Sequence, residues 1–123
     1  MDKTAIILFA HGSRDPLWHR PIEAVARQIE SLSPDATVRC AYLELSTPDL
    51  PGAVQALLET GVQRIRILPL FLGVGRHARE DLPLLFRDLQ ARHPGVVFEL
   101  LDAVGEHPQM TQLMAEIALQ GLS

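Results

Sequence analysis

The chain has 123 residues, one domain's worth of length. Of these 47% are hydrophobic and only 5% aromatic, so its core must be built mostly from Leu, Val, Ile and Ala. The net charge of −4 argues against a nucleic-acid binder, which is usually basic. A single cysteine, Cys40, excludes an internal disulfide, a cysteine-built zinc site and an iron–sulfur cluster held by one chain. The expectation is a cytoplasmic protein: Met1-Asp2-Lys3-Thr4 leads into an apolar run too short for a signal peptide, and no stretch reaches membrane-spanning length.

Short apolar runs alternate with amphipathic stretches. Thr4 to Ala10 (TAIILFA) suits a strand covered on both faces. The turn His11-Gly12-Ser13-Arg14-Asp15-Pro16 follows, and Ile22, Val25, Ala26, Ile29 and Leu32 then recur at helical spacing until Ser33-Pro34-Asp35. Val38, Cys40 and Tyr42 alternate in a second strand that runs to Leu43 or Glu44. Thr47 is the expected cap of a second helix, with Pro48 in its first position and Leu50, Ala53, Val54, Leu57 and Leu58 on its apolar face; Gly61 stops it. Val62 to Leu70 reads as a third strand, with Pro69 near its end. After the turn Gly73-Val74-Gly75-Arg76-His77, a third helix carries Leu82, Leu85, Phe86 and Leu89, with Asp81 as expected cap and Pro83 in the first turn. His93-Pro94-Gly95 closes it, Val96 to Leu101 is a fourth strand, and Met110, Leu113, Met114 and Ile117 mark a last helix.

The order is therefore βαβαβαβα in one domain, residues 1–123, with no linker or repeat. It predicts a flavodoxin-like α/β fold: a four-stranded parallel sheet with helices on both faces. Every strand-to-helix turn leaves such a sheet at one edge, and ligands bind there where the strand order reverses. If the order is 2-1-3-4, His11 after strand one and His77 after strand three flank one crevice, with Glu44 at the end of strand two and Asp102 and Glu106 after strand four.

Neutral imidazoles bind Fe²⁺, Co²⁺ and Ni²⁺ well, and two of them with one carboxylate leave coordination positions open, whereas a structural zinc site is closed by four ligands. Imidazole also exchanges protons near neutrality. A histidine after a strand can equally be a local cap, but a second one at the matching turn favours function. Arg14, Arg76 and Arg79 would form a basic rim at the same edge of an acidic chain, suited to a ligand with carboxylates; solvation of a helix start is the bland counterpart. His19, His93 and His107 read as ordinary surface or cap residues, and Cys40, Met110 and Met114 as core; Trp18 fits either a stacking surface or packing. Gly73-Val74-Gly75 lacks both a third glycine and the Gly-Lys-Ser/Thr of a phosphate loop, which speaks against a nucleotide switch.

The motifs His11-Gly12-Ser13-Arg14 and Pro69-Leu70-Phe71-Leu72-Gly73-Val74-Gly75-Arg76-His77, continuing through Ala78-Arg79-Glu80-Asp81-Leu82-Pro83, resemble those of the class II chelatases, in particular the small CbiX-type sirohydrochlorin chelatases. The resemblance covers essentially the whole chain. It implies ATP-independent insertion of Co²⁺, or in relatives Fe²⁺ or Ni²⁺, into sirohydrochlorin, with the metal as substrate and no tightly bound cofactor. It implies that His11 and His77 bind metal, His11 also accepting protons. It further implies substrate contacts at Ser13, Arg14, Ser46, Leu72, Gly73, Val74, Gly75 and Arg76, and a metal-site carboxylate at Glu44. Larger relatives hold two such halves in one chain, so the small form is expected to pair as a homodimer. A siroheme-type ferrochelatase and a non-catalytic metal carrier are the rival expectations.

Overall fold

A computed structural model describes residues 4–122. Met1-Asp2-Lys3, weighed above as a leader, lies outside them. Four strands, β1 (Thr4–Ala10), β2 (Thr37–Tyr42), β3 (Arg64–Pro69) and β4 (Val97–Leu100), alternate with four helices, α1 (Arg20–Leu32), α2 (Leu50–Leu58), α3 (Arg76–Arg92) and α4 (Pro108–Leu119). Two short 3₁₀ turns, Pro16–His19 and Val104–Glu106, precede α1 and α4. All strand pairs are parallel and the spatial order is β2-β1-β3-β4, as expected.

Side chains alternate across the sheet, so each strand contributes to two faces. One face is a dense core: Ala5, Ile7 and Phe9 of β1, Ala41, Ile65, Ile67 and Phe98 meet Leu50, Ala53, Val54 and Leu57 of α2 and Leu89 of α3. The other face is uneven. α1 lies over β2 and β1, where Leu8, Ala10, Val38 and Tyr42 are buried. Over β3 and β4 the face stays open: Leu68 and Leu101 are half-buried, Val97 is 52% exposed, and Arg66 bridges Glu99 across the strands at 3.1 Å.

Several expectations shift on inspection. α2 is capped by Asp49, not Thr47: the Asp49 carboxylate accepts the Gly52 N–H at 2.8 Å, the reach a helix start requires, and Pro51 rather than Pro48 sits in the first turn. α3 starts at Arg76 with Gly75 as its cap, so Asp81 and Pro83 lie inside it. Pro83 removes one backbone donor, but the turn ahead of it is already closed by Arg79 N–H to the Gly75 carbonyl at 3.0 Å and by the Arg76–Glu80 pair at 3.3 Å. Met110 and Met114 are not core residues, because no residue of α4 is buried. Cys40 is only half-buried, on the α1 side.

Cys40 and Tyr42, two residues apart on that same face, share a hydrogen bond. Burial, then the negative charges of Cys40 and Glu23, push the Tyr42 phenol up from 10.0 to about 12; burial, then Glu23, raises the Cys40 thiol above 9.0. A folded pKa above the unfolded one stabilises the fold fully below pH 10 and is lost as the pH rises towards 12. The urea midpoint should therefore fall steeply between pH 10 and 12, and the fall should be shallower in Tyr42→Phe; an unchanged profile in that variant would show that the phenol carries none of this dependence.

Candidate active site

The carboxyl edge of the sheet gathers the residues of interest. The β1–β3 ladder ends with the Leu70 N–H donating to the Phe9 carbonyl at 2.7 Å, and the β1–β2 pairing continues past the strands through Leu43 N–H to Ala10 at 2.8 Å and Glu44 N–H to His11 at 2.9 Å. His11 thus sits beside Glu44 along the backbone, and its ring lies on Phe71, 4.3 Å between centroids and tilted by 31°. Phe71 is also a wall, with Phe9, Leu43, Leu82 and Leu85, of an apolar cleft of about 220 Å³ that contains His77 and Asp81. His77 belongs to the first turn of α3, not to the loop before it. Asp102 and Glu106 line a separate cleft of about 220 Å³ with Val74, Arg79 and Pro83. Among the described residues, no three side chains of His, Cys, Asp or Glu stand close enough to form a ready-made metal cage.

Phe71 was not anticipated as a site residue, although one phenylalanine in the turn after a strand, in a chain with so few aromatics, was the available signal. His19, read as ordinary, is part of the scaffold of this edge. The Ser46 hydroxyl donates to the Ser13 carbonyl at 2.7 Å and accepts the Ser13 N–H at 3.1 Å, and the His19 Nε2 lies 2.9 Å away. A hydroxyl has one proton and two lone pairs, so its remaining bond is an acceptance from His19, whose Nε2 must carry the proton. The Ser13 hydroxyl accepts the Asp15 N–H at 3.0 Å, and the Asp15 carboxylate accepts the Leu17 N–H at 2.9 Å. Ser13 and Ser46 spend these groups on tying the two turns together. Trp18 meets His19 edge-on and lies tilted against Tyr42, as a packing residue of that tie.

Two glycines are fixed by close approach. Gly12 has φ of 106°, and a Cβ there would be driven into the Glu44 carbonyl. A Cβ on Gly105 would meet the Leu72 backbone, against which the Val104–Glu106 turn is held by Gly105 N–H to the Phe71 carbonyl at 3.0 Å. Gly73 and Gly75 have open space around them. Leu72 is 70% exposed, Gly75 caps α3 with no side-chain acceptor, and Arg14 and Arg76 are exposed, Arg76 pairing only loosely with Glu80.

Two imidazoles bordering one aromatic wall, with solvent-open backbone and arginines around them, can take a borderline divalent ion and keep coordination positions free. The edge therefore pairs exposed imidazoles with an apolar wall at the carboxyl end of a parallel α/β sheet. The chain belongs to the CbiX family, whose model matches residues 5–120. It is 35% identical over 79 residues to the sirohydrochlorin cobaltochelatase of Methanopyrus kandleri, covering 64% of this chain and 55% of that protein. To the chloroplastic sirohydrochlorin ferrochelatase of Arabidopsis thaliana it is 27% identical over 106 residues, 86% of this chain and 47% of that one. The matches thus span about half the length of these relatives. The crystal structure of a CbiX protein from Marinobacter aquaeolei VT8 superposes with a TM-score of 0.79 at 34% identity, covering 94% and 93% of the two chains. SirB from Bacillus subtilis, solved with Fe³⁺, has the same fold with a TM-score of 0.76 at 23% identity, and this chain covers 45% of it.

The contrast between glycines is testable by urea denaturation. Gly105→Ala should lose about 1–3 kcal/mol, as for overpacking against atoms that cannot rotate aside, whereas Gly73→Ala should stay within about 0.5 kcal/mol of wild type. Equal losses would show that the approach of Gly105 to Leu72 relaxes freely.

Proposed function

We propose that this chain is a sirohydrochlorin cobaltochelatase that inserts Co²⁺ into the tetrapyrrole without ATP. The observation that carries the reading is the placement of His11 and His77, from turns far apart in sequence, around Phe71 at the carboxyl edge of neighbouring strands. The metal is a substrate, held by the two imidazoles with positions left for pyrrole nitrogens. The macrocycle lies over the apolar wall of Phe71 and the open turn Leu72 to Arg76. Neither backbone conformation nor neighbouring atoms require glycine at 73 or 75, so a ligand approaching the backbone is what these small residues serve. Carboxylates of the substrate face Arg14 and Arg76.

Insertion exchanges two pyrrole protons for one divalent ion. A metal-bound imidazole has no lone pair to spare, so the protons go to Glu44, beside His11, or to a histidine once it has released the metal. Ser13 and Ser46 act on substrate through the shape of the turns they lock, with the Ser13 and Ser46 hydroxyls engaged inside the protein. A cleft of about 220 Å³ is smaller than the roughly 300–1,000 Å³ of ordinary ligand sites, which supports a working unit of two chains, a homodimer; the compartment proposed for it is the cytoplasm. Iron is a second reading, favoured by the likeness to a named ferrochelatase; histidine and carboxylate donors do not by themselves separate these ions.

The test is sirohydrochlorin absorbance over time with anaerobic Co²⁺ or Fe²⁺. The wild-type rate should exceed the spontaneous one, and His11→Ala and His77→Ala should each lower the catalysed rate by about 10²–10⁴-fold, the usual worth of a positioned proton acceptor. A wild-type rate equal to the spontaneous one, with stoichiometric Co²⁺ binding, would replace the enzyme by a metal carrier.

A further inference from the structure

We propose that Leu45 is a substrate-contact residue, held by a strained backbone so that its side chain bounds one side of the bound tetrapyrrole. This contact rests on the chelatase reading above and adds to it a residue that the reading does not use.

Among the described residues, Leu45 is the only one besides glycines with a positive φ, 62°. At that angle the Cβ of an L-residue crowds the next carbonyl oxygen, and glycine and asparagine are the residues that adopt it readily. Such strain persists only where the surrounding structure fixes it. Both flanks of Leu45 are fixed. Before it, the N–H groups of Tyr42, Leu43 and Glu44 donate to the carbonyls of Pro48, Ala10 and His11 at 2.9, 2.8 and 2.9 Å. The Glu44 carbonyl also lies so close to Gly12 that no Cβ fits between them. After it, the Ser46 hydroxyl is bound to both backbone groups of Ser13 and to His19. One residue is left to join two anchored points, and it takes the left-handed turn.

The anchors account for the backbone angle but not for the side chain. Leu45 is 54% exposed, so half of an apolar side chain faces water on a backbone that leucine adopts at a cost. A small polar residue would remove the strain and the exposed apolar area together. What leucine supplies instead is an apolar group on a rigid base at the rim of the site.

The strand order β2-β1-β3 sets the turn of Leu45 on one side of His11 and the turn of Leu72 and His77 on the other. Leu43, Leu45 and Leu72 are the exposed large apolar residues of these two turns, and Leu43 also lines the cleft with Phe71 and His77. Neighbouring strands lie about 4.8 Å apart, so the two turns stand about 10 Å from each other. A metal ion has no use for apolar groups spread so widely, whereas a broad, flat ring that presents hydrocarbon to the protein does. Leu45 bounds that ring on the β2 side and Leu72 on the β3 side, with His11 between them.

The experiment measures binding of metal-free sirohydrochlorin, through its absorbance, and of Co²⁺ alone, by calorimetry, to wild type, Leu45→Asn and Leu45→Met. Asparagine accepts the left-handed angle, so the urea midpoint of Leu45→Asn should equal or exceed that of wild type. Its dissociation constant for sirohydrochlorin should rise about tenfold, the worth of burying the exposed half of a leucine. Methionine, close to leucine in volume, should restore most of that affinity. Co²⁺ affinity should be the same in all three proteins. A lower urea midpoint in Leu45→Asn would make Leu45 a packing residue and overturn the contact. Unchanged sirohydrochlorin binding would overturn it while leaving the chelatase reading in place. A parallel loss of Co²⁺ affinity would overturn it too, because the residue would then act by placing Glu44 and His11. If the wild type binds no sirohydrochlorin, the chelatase reading falls and the contact falls with it.

Discussion

The last rung of the β1–β3 ladder, from the Leu70 N–H to the Phe9 carbonyl, is the constraint on which the carboxyl edge depends. It fixes where the chain leaves β3, and so where Phe71 stands when it meets the His11 ring. Parallel pairing makes this possible: two turns sixty residues apart in sequence start at the same level because their strands run side by side in register. Nothing local to either turn could bring the two histidines to one wall.

Around that constraint the polar residues divide their labour. The Ser46 hydroxyl is saturated by Ser13 and His19 and holds the first two turns as one body. His11, Arg14, Arg76 and His77 stay exposed. On the function proposed above, such a division suits a site that receives a metal ion, passes it on and accepts protons, because the groups that would move charge are not the ones that hold shape. The apolar wall of Phe9, Leu43 and Phe71 lowers the competition from water at the place where imidazole lone pairs are offered.

Much of the fold was legible in the sequence because its signals are periodic and repeated. Four apolar runs and the helices between them dictate a parallel sheet, and the order 2-1-3-4 places His11 and His77 at one edge. The caps were harder to read. Thr47 and Asp49 are both good acceptors, and only the path of the chain decides which reaches a backbone donor; Pro83 looks like a helix start but is tolerated about two turns into α3. The stacking of His11 on Phe71 and the knot through Ser46 and His19 were beyond reach, since each depends on side chains distant in sequence meeting in space. The stripe on α4 was read correctly as apolar, yet periodicity says that a face will be covered without saying by what.

Gly12 and Gly105 bear on how this protein tolerates change. In both places the obstacle to a Cβ is carbonyl backbone, of Glu44 and Leu72, rather than a side chain that could swing away. Trimming a neighbouring side chain cannot by itself clear that space, because the obstacle is backbone that every residue type carries. Relief of Gly105→Ala has to come from a shift of the chain itself, in the turn around Leu72 or in the one around Gly105. Both contacts thus tie the path of one turn to that of another, Gly12 to the turn at Glu44 and Gly105 to the turn at Leu72.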